Sequence, residues 1–218
     1  MSGDFYHILN RGVEERDIFY SEKDYFRFAY NLHDFNDTKL ALPYPLRRSR
    51  AKHIGHAMSN MFNYAREEII GLLCWCLMPN HAHVFVREKI DGGASVFSKK
   101  IFGGYTKYIN EIKKRKGVLF QGRSKIILIE KDEHFLHLPF YIMANPVSLI
   151  EPKWREKGIV SLKKVIDFLE NYRWSSFQDL IGKDNFPETV NKNLFYELFD
   201  TNEGKFKKDF IEWLGGYR

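Results

Sequence analysis

The sequence predicts an α+β domain: a run of antiparallel strands with helices packed on one or both faces, followed by a mostly helical tail. Three observations predict it. Segments of strand and helix periodicity follow one another in the order strand, helix, strand, strand, helix, strand, helix. Two of the strands flank a Met78-Pro79-Asn80 turn, which makes them a hairpin. Beyond residue 151 the pattern turns mostly helical, with no internal repeat and no low-complexity stretch.

Taken in order, Phe5 to Leu9 reads as a short strand and Asn10-Arg11-Gly12 as a turn. Ser21 is a candidate N-cap with Asp24 three residues on, and Tyr25, Phe28, Leu32 and Phe35 follow at helical spacing. Residues 36–52 hold two prolines and read as a loop, and 53–64 as a helix. The dense apolar run Ile69 to Leu77 reads as a central strand buried on both faces, and His81 to Val86 as its hairpin partner. After the Asp91-Gly92-Gly93 break, Ser95 is placed to cap a long helix reaching about Lys116, with Gly117 ending it. Gly103-Gly104 inside that helix is costly and points to close backbone approach by a neighbour. Lys125 to Glu130 is the next strand. Asp132 then caps a helix running to about Asn145, stopped by Pro146 and kinked or restarted at Pro139. Tail helices are expected at 161–172, 191–199 and 205–214.

Composition excludes several classes. With 44% hydrophobic and 28% charged residues over 218 positions, the chain reads as globular rather than disordered. No stretch approaches the roughly 20 uninterrupted apolar residues that cross a bilayer, so no membrane association is expected. The first residues carry no basic-then-apolar signal pattern, and a cytoplasmic location is the expectation. Cys74 and Cys76 are too close for an ordinary disulfide and wrongly spaced for a zinc half-site, and read as buried thiols.

The formal charge is +6, which favours a polyanionic partner. From Lys99 to Lys125 there are nine basic residues and one acid, Glu111. The basic residues are Lys99, Lys100, Lys107, Lys113, Lys114, Arg115, Lys116, Arg123 and Lys125. Phe102, Tyr105, Tyr108 and Phe120 lie between them, and cations beside aromatic faces suit single-stranded nucleic acid. Arg47, Arg48, Arg50 and Lys52 form a second basic cluster.

Three motifs carry candidate chemistry. His81 and His83 stand at i, i+2 on a strand and so share a face, where neutral imidazoles can ligate a divalent ion. Tyr141 and Asn145 are four apart on a helix and share its face, so a phenol and an amide oxygen can meet one site. In Gly117-Val118-Leu119-Phe120-Gln121-Gly122-Arg123, Gly122 permits close approach and Arg123 can grip a phosphate. Alone, each has a plainer reading: exposed strand histidines, a packed tyrosine, a helix-end asparagine. The pairs His53/His56 and His134/His137 sit at i, i+3 with no carboxylate or cysteine to complete a site, and read as structural or surface residues.

Together, in this order, Met-Pro-Asn-His81-Ala-His83, Leu-Phe-Gln-Gly-Arg123 and Tyr141-Ile-x-x-Asn145-Pro-Val resemble the single-tyrosine HUH transposases. The nearest branch is the REP-associated tyrosine transposases, to which Tyr6-His7-Ile8-Leu9-Asn10-Arg11-Gly12 and Tyr172-Arg173-Trp174-Ser175-Ser176 are also similar. The resemblance spans residues 5 to about 178. It implies a ferredoxin-like antiparallel sheet with flanking helices over 1–150, with 36–66 a candidate insertion and 151–218 a helical C-terminal extension. It implies nicking and rejoining of single-stranded or hairpin DNA, with Mg2+ or Mn2+ as cofactor, by a monomer or homodimer. In that resemblance His81, His83 and Asn145 match the metal ligands and Tyr141 the nucleophile. Arg11 joins the basic residues listed above from Lys99 to Lys125 as DNA contacts. A DNA- or RNA-binding regulator and a metal-dependent hydrolytic nuclease are the rival expectations. The first would not require Tyr141 with both histidines; the second would form no covalent adduct.

Overall fold

Strand alternation and helical stripes assemble into a sheet with a helical layer on each face. The computed structural model describes residues 3–39 and 66–217. Strands β1 (Phe5–Arg11), β2 (Ile70–Met78), β3 (His81–Glu88) and β4 (Lys125–Leu128) form one antiparallel sheet in the order β2-β3-β1-β4. Helix α1 (Glu22–Asp34) connects β1 to β2, and α2 (Gly93–Ile112) connects β3 to β4. This strand order with these crossovers is the ferredoxin-like arrangement.

Period-two alternation sorts the side chains. Ile8, Ala82, Val84 and Val86 turn to one face and meet Phe28, Leu32, Phe97, Ile101 and Tyr105 of α1 and α2. Phe85, Cys74 and Cys76 turn to the other face, covered by α3 (Asp132–Met143) and the tail. A bulge in β2 adjusts the alternation: Leu72 pairs with Val86 and Cys74 with Phe85, so Leu73 is the extra residue. Both cysteines are free and buried, as their spacing suggested.

The tail adds α4 (Trp154–Lys157), α5 (Leu162–Leu169), α6 (Phe177–Leu180), α7 (Lys192–Leu198) and α8 (Glu203–Gly215). Its apolar residues Phe177, Phe195, Phe206, Phe210 and Leu214 join the same core as β2 residues Leu73, Cys74 and Cys76. Residues 174–176 also run along the outer edge of β2. Leu77 N–H donates to Trp174 O at 2.8 Å, Ser176 N–H to Trp75 O at 3.0 Å, and Cys76 bridges Ser175 in antiparallel register.

Several local expectations are corrected. β2 is buried on both faces but lies at the edge of the sheet, its open side sealed by the tail. β1 continues through Asn10 and Arg11, which pair with Ala82 and His81 instead of turning. α2 begins at Gly93 behind a left-handed Gly92, not at a Ser95 cap. It ends at Ile112, short of Gly117, because Lys114 takes a left-handed φ of 50°. Lys114 N–H then reaches Glu111 O and Arg115 N–H reaches Asn110 O, the paired bonds that close a helix C-terminus. β4 stops at Leu128 instead of Glu130. α3 runs unbroken through Pro139 and ends at Met143. Phe102, Tyr105 and Phe120 are buried in the core and present no faces to bases. They follow the Phe97, Ile101, Ile109 stripe that turns α2 toward the sheet, and the lysines occupy its outer side. Gly104 does meet a neighbour: a Cβ there would stand 2.6 Å from the Phe35 ring. Gly103 has open space around it. Of the stretch 36–66, only 36–39 and 66 are described. The expected 53–64 helix, the second basic cluster and His53/His56 lie outside the described residues.

Candidate active site

The β2–β3 turn fixes the start of β3. Pro79 O accepts from Ile18 N–H and Asn80 O from Gly12 N–H, both at 2.8 Å, so the loop after β1 clamps the turn. His81 and His83 then leave on the same face as Phe85, with ring centroids 4.9 Å apart and edge-on. Asn80 Oδ1 lies 2.6 Å from His81 Nδ1, and Asn80 Nδ2 donates to Glu15 O at 3.1 Å.

A third histidine lies beside them. His7, on β1, projects from the same face, and its Nε2 is 2.8 Å from His83 Nδ1. The two rings lie edge to edge, centroids 5.0 Å apart with 20° between their planes, so the N–N contact is nearly in plane. Above this face α3 delivers Tyr141, its ring centroid 6.0 Å from His83 and 6.5 Å from His7. Tyr141 is 40% exposed. Tyr105 lies in the helical layer on the opposite face, buried, with its hydroxyl donating to Ile18 O at 2.7 Å. Tyr108 donates to Asp24 Oδ1 at 3.1 Å. Both read as core residues.

Asn145 follows α3 in a short 3-10 turn. Its Nδ2 donates to Tyr141 O at 2.9 Å and Ile142 O at 3.1 Å, carbonyls in the last turn of α3. Two carbonyl acceptors identify the nitrogen, so Oδ1 is the accepting end, and Arg155 Nη2 donates to it at 3.5 Å. The Arg155 guanidinium also lies over the Tyr141 ring, 5.0 Å from its centroid.

The electrostatics follow from burial. His7 is pushed down to about 4, mainly because burial disfavours the cation, with His134 adding repulsion. His81 is likewise pushed down to about 4, first by burial and then by Arg11 and Arg155, with Glu15 opposing. His83 lies well below the usual imidazole range for the same leading reason, with His7, His81 and both arginines adding to it. All three imidazoles are therefore neutral at neutral pH. Histidines in the unfolded chain take up protons near pH 6.5, whereas His7 and His81 resist until about pH 4. Between those values the unfolded state binds more protons, so this stability is complete above about pH 6.5 and is lost as pH falls toward 4. Urea unfolding of the metal-free protein at pH 7.5, 6.0 and 4.5 is expected to lose on the order of 2–3 kcal/mol for each of His7 and His81 across that window. A flat profile would contradict the buried neutral cluster.

The basic residues fall into two groups. Arg11, paired with Glu15 at 2.7 Å, stands opposite His81 in the sheet. Arg123 follows Gly122, whose carbonyl accepts from Asn10 Nδ2, and Lys125 pairs with Leu9 at the same end of β1. A Cβ at Gly122 would meet no atom of the described residues within 4 Å. Lys113 to Lys116 close α2 at that end of the sheet. There Lys113 lies over the Tyr20 ring at 4.8 Å, and Arg115 donates to Tyr20 Oη at 3.2 Å. Lys99, Lys100 and Lys107 belong to the helical layer across the sheet from Tyr141. Lys100 is engaged with the carbonyls of Asp37 and Lys39.

No family model matches the chain. No curated protein matches it either. Among solved structures, it is similar to a REP-associated tyrosine transposase bound to a REP hairpin. The identity is 13%, over 88% of this chain and 87% of that one, with a TM-score of 0.48. That likeness is too loose to bear on the chemistry of the site.

Among the described residues no three His, Cys, Asp or Glu side chains group closely enough to hold an ion. The donor set on offer is two imidazoles and an amide oxygen. Its imidazoles suit a borderline divalent cation: His81 and His83 are neutral and each is engaged through Nδ1, while Asn145 Oδ1 would have to exchange its contact with Arg155 for the ion. Such a set suits Mn2+ more readily than Mg2+. His7 and Arg155 are the site residues that sequence reasoning missed. His7 sits at an inward position of a strand, a signal available in the sequence. For Arg155, ten residues past Asn145, the spacing holds no signal.

Proposed function

We propose that the chain is a metal-dependent single-strand DNA endonuclease and transposase that nicks and rejoins DNA through a 5′-phosphotyrosine, acting near hairpins. The observation that carries this reading is the exposed Tyr141 ring 6.0 Å from the His83 ring, over a face that also bears His81. Neither a binding module nor a packed core needs an exposed phenol above paired neutral imidazoles.

A divalent ion held by His81, His83 and Asn145 would draw charge from the scissile phosphate and orient it. Tyr141 Oη attacks phosphorus, and the phenolic proton leaves to solvent. The bond from phosphorus to the preceding 3′ oxygen breaks, and that oxygen leaves as a 3′-hydroxyl once protonated. The phosphate remains esterified to Tyr141, so the 3′-hydroxyl can later reverse the step. The Arg155 guanidinium, 5.0 Å from the centroid of the Tyr141 ring, would offer positive charge to the phosphate. Arg11, Arg123, Lys125 and the Lys113–Lys116 run would bind the strand's phosphates at the same end of the sheet. Lys99, Lys100 and Lys107 would contact DNA only by wrapping to the opposite layer.

Cleavage of labelled single-stranded DNA in Mn2+ is the test. Excess EDTA and His81→Ala are each expected to reduce nicking at least ~100-fold while native-gel binding persists, since phosphate contacts supply most of the affinity. Full activity in EDTA would remove the metal from the proposal. Binding with no cleavage under any condition would favour a nucleic-acid-binding regulator.

A further inference from the structure

The hydrogen bonds around His81 and His83 bear on which ring nitrogen each can offer. For His81 the answer is forced. Asn80 Nδ2 is spent on Glu15 O, so the group facing His81 Nδ1 at 2.6 Å is the amide oxygen, which can only accept. His81 Nδ1 therefore carries the proton and its Nε2 carries the lone pair.

His83 faces a different partner. Its Nδ1 meets His7 Nε2 at 2.8 Å in a buried contact between near-coplanar rings set edge to edge. One proton lies between the two nitrogens. A single proton in this contact leaves two arrangements. If His7 donates, His83 Nε2 bears a proton and cannot ligate a cation. If His83 donates, its Nε2 is free and matches His81.

From this we infer that His7 is a positioning residue: it accepts the Nδ1 proton of His83 and so presents the Nε2 lone pair of His83 to a divalent cation, as Asn80 does for His81. The inference rests on the proposed metal-binding role of the pair. His7 is not itself a ligand, because its Nε2 is turned onto His83 Nδ1. Partners of this kind usually set a ligand histidine's tautomer, and their loss typically lowers metal affinity about 10–100-fold.

The test uses Mn2+ alone as the probe, without DNA. Nitrogen-15 NMR of the histidine rings in the metal-free wild type is expected to show protonated Nδ1 and bare Nε2 on both His81 and His83. A protonated Nε2 on His83 overturns the inference without any variant having to fold. In Mn2+ titrations followed by electron paramagnetic resonance, His7→Phe is expected to bind about 10–100-fold more weakly. His7→Gln, which keeps an acceptor, should recover most of the loss. His7→Phe binding as tightly as wild type, with an unchanged melting curve, also overturns it. Wild-type Mn2+ binding by His83→Ala would instead overturn the metal role itself, and the inference with it.

Discussion

Tyr141→Phe eliminates the covalent protein–DNA adduct and leaves DNA affinity within about threefold of wild type. The substitution removes one hydroxyl from a ring that stays in place, because its packing partners are the His7 and His83 rings and the Arg155 guanidinium. In the proposed function, binding would depend on phosphate contacts by the basic groups at the end of the sheet, which the change leaves untouched. Chemistry depends on the lost oxygen. Neither tyrosine of α2 is placed to substitute: Tyr105 is sealed in the opposite layer with its hydroxyl on Ile18 O, and Tyr108 is tied to Asp24. Loss of at least ~10^4 in nicking rate is expected, the scale seen when a nucleophile is deleted and only binding and electrostatics remain. The measurement is a denaturing gel for adduct beside a native gel for binding. Nicking by Tyr141→Phe at the wild-type rate would show the nucleophile to be another group.

Ending the chain at residue 172 abolishes cooperative folding. The tail does two things for the sheet that nothing else described can do. It occupies the open edge of β2 through Trp174 and Ser176, and it puts Phe177, Phe195, Phe206, Phe210 and Leu214 against Leu73, Cys74 and Cys76. Full burial of each such side chain contributes roughly 1.5–3 kcal/mol. Five together approach the roughly 5–15 kcal/mol by which a typical domain is stable. Truncation would also bare a nine-residue apolar edge strand, a template for aggregation. Circular dichroism and thermal unfolding of the truncated chain are expected to show no cooperative transition. A soluble truncated protein with a sharp transition near the full-length temperature would show that the tail is an accessory.

How far the sequence could be read depended on whether the deciding partners were local. Alternation in β3 and the Pro79-Asn80 turn placed His81 and His83 together on one face, and helical spacing placed Tyr141 on α3, because both signals lie within a few residues. The apolar run of β2 announced burial on both faces, but the same run serves a central strand or an edge strand sealed by a distant segment. Only the contact with residues 174–176 decides between them. The aromatics of α2 misled by composition: Phe102 and Tyr105 stand among lysines in the sequence, yet the Phe97, Ile101, Tyr105, Ile109 spacing already marks a core stripe. The end of α2 was misplaced because Lys114 adopts a conformation usually left to glycine. His7 and Arg155 join the site from β1 and the tail, and no spacing along the chain links either to His83 or Tyr141.

The central claim is that Tyr141 forms a covalent bond with DNA beside the His81/His83 pair. The most direct measurement incubates the purified protein with Mn2+ and a pool of labelled single-stranded and hairpin DNA, runs a denaturing gel, and maps any labelled protein by peptide mass spectrometry. A labelled band at protein mass, with the nucleotide on Tyr141, is the predicted result. Cleaved DNA with no adduct would contradict it and indicate a hydrolytic nuclease.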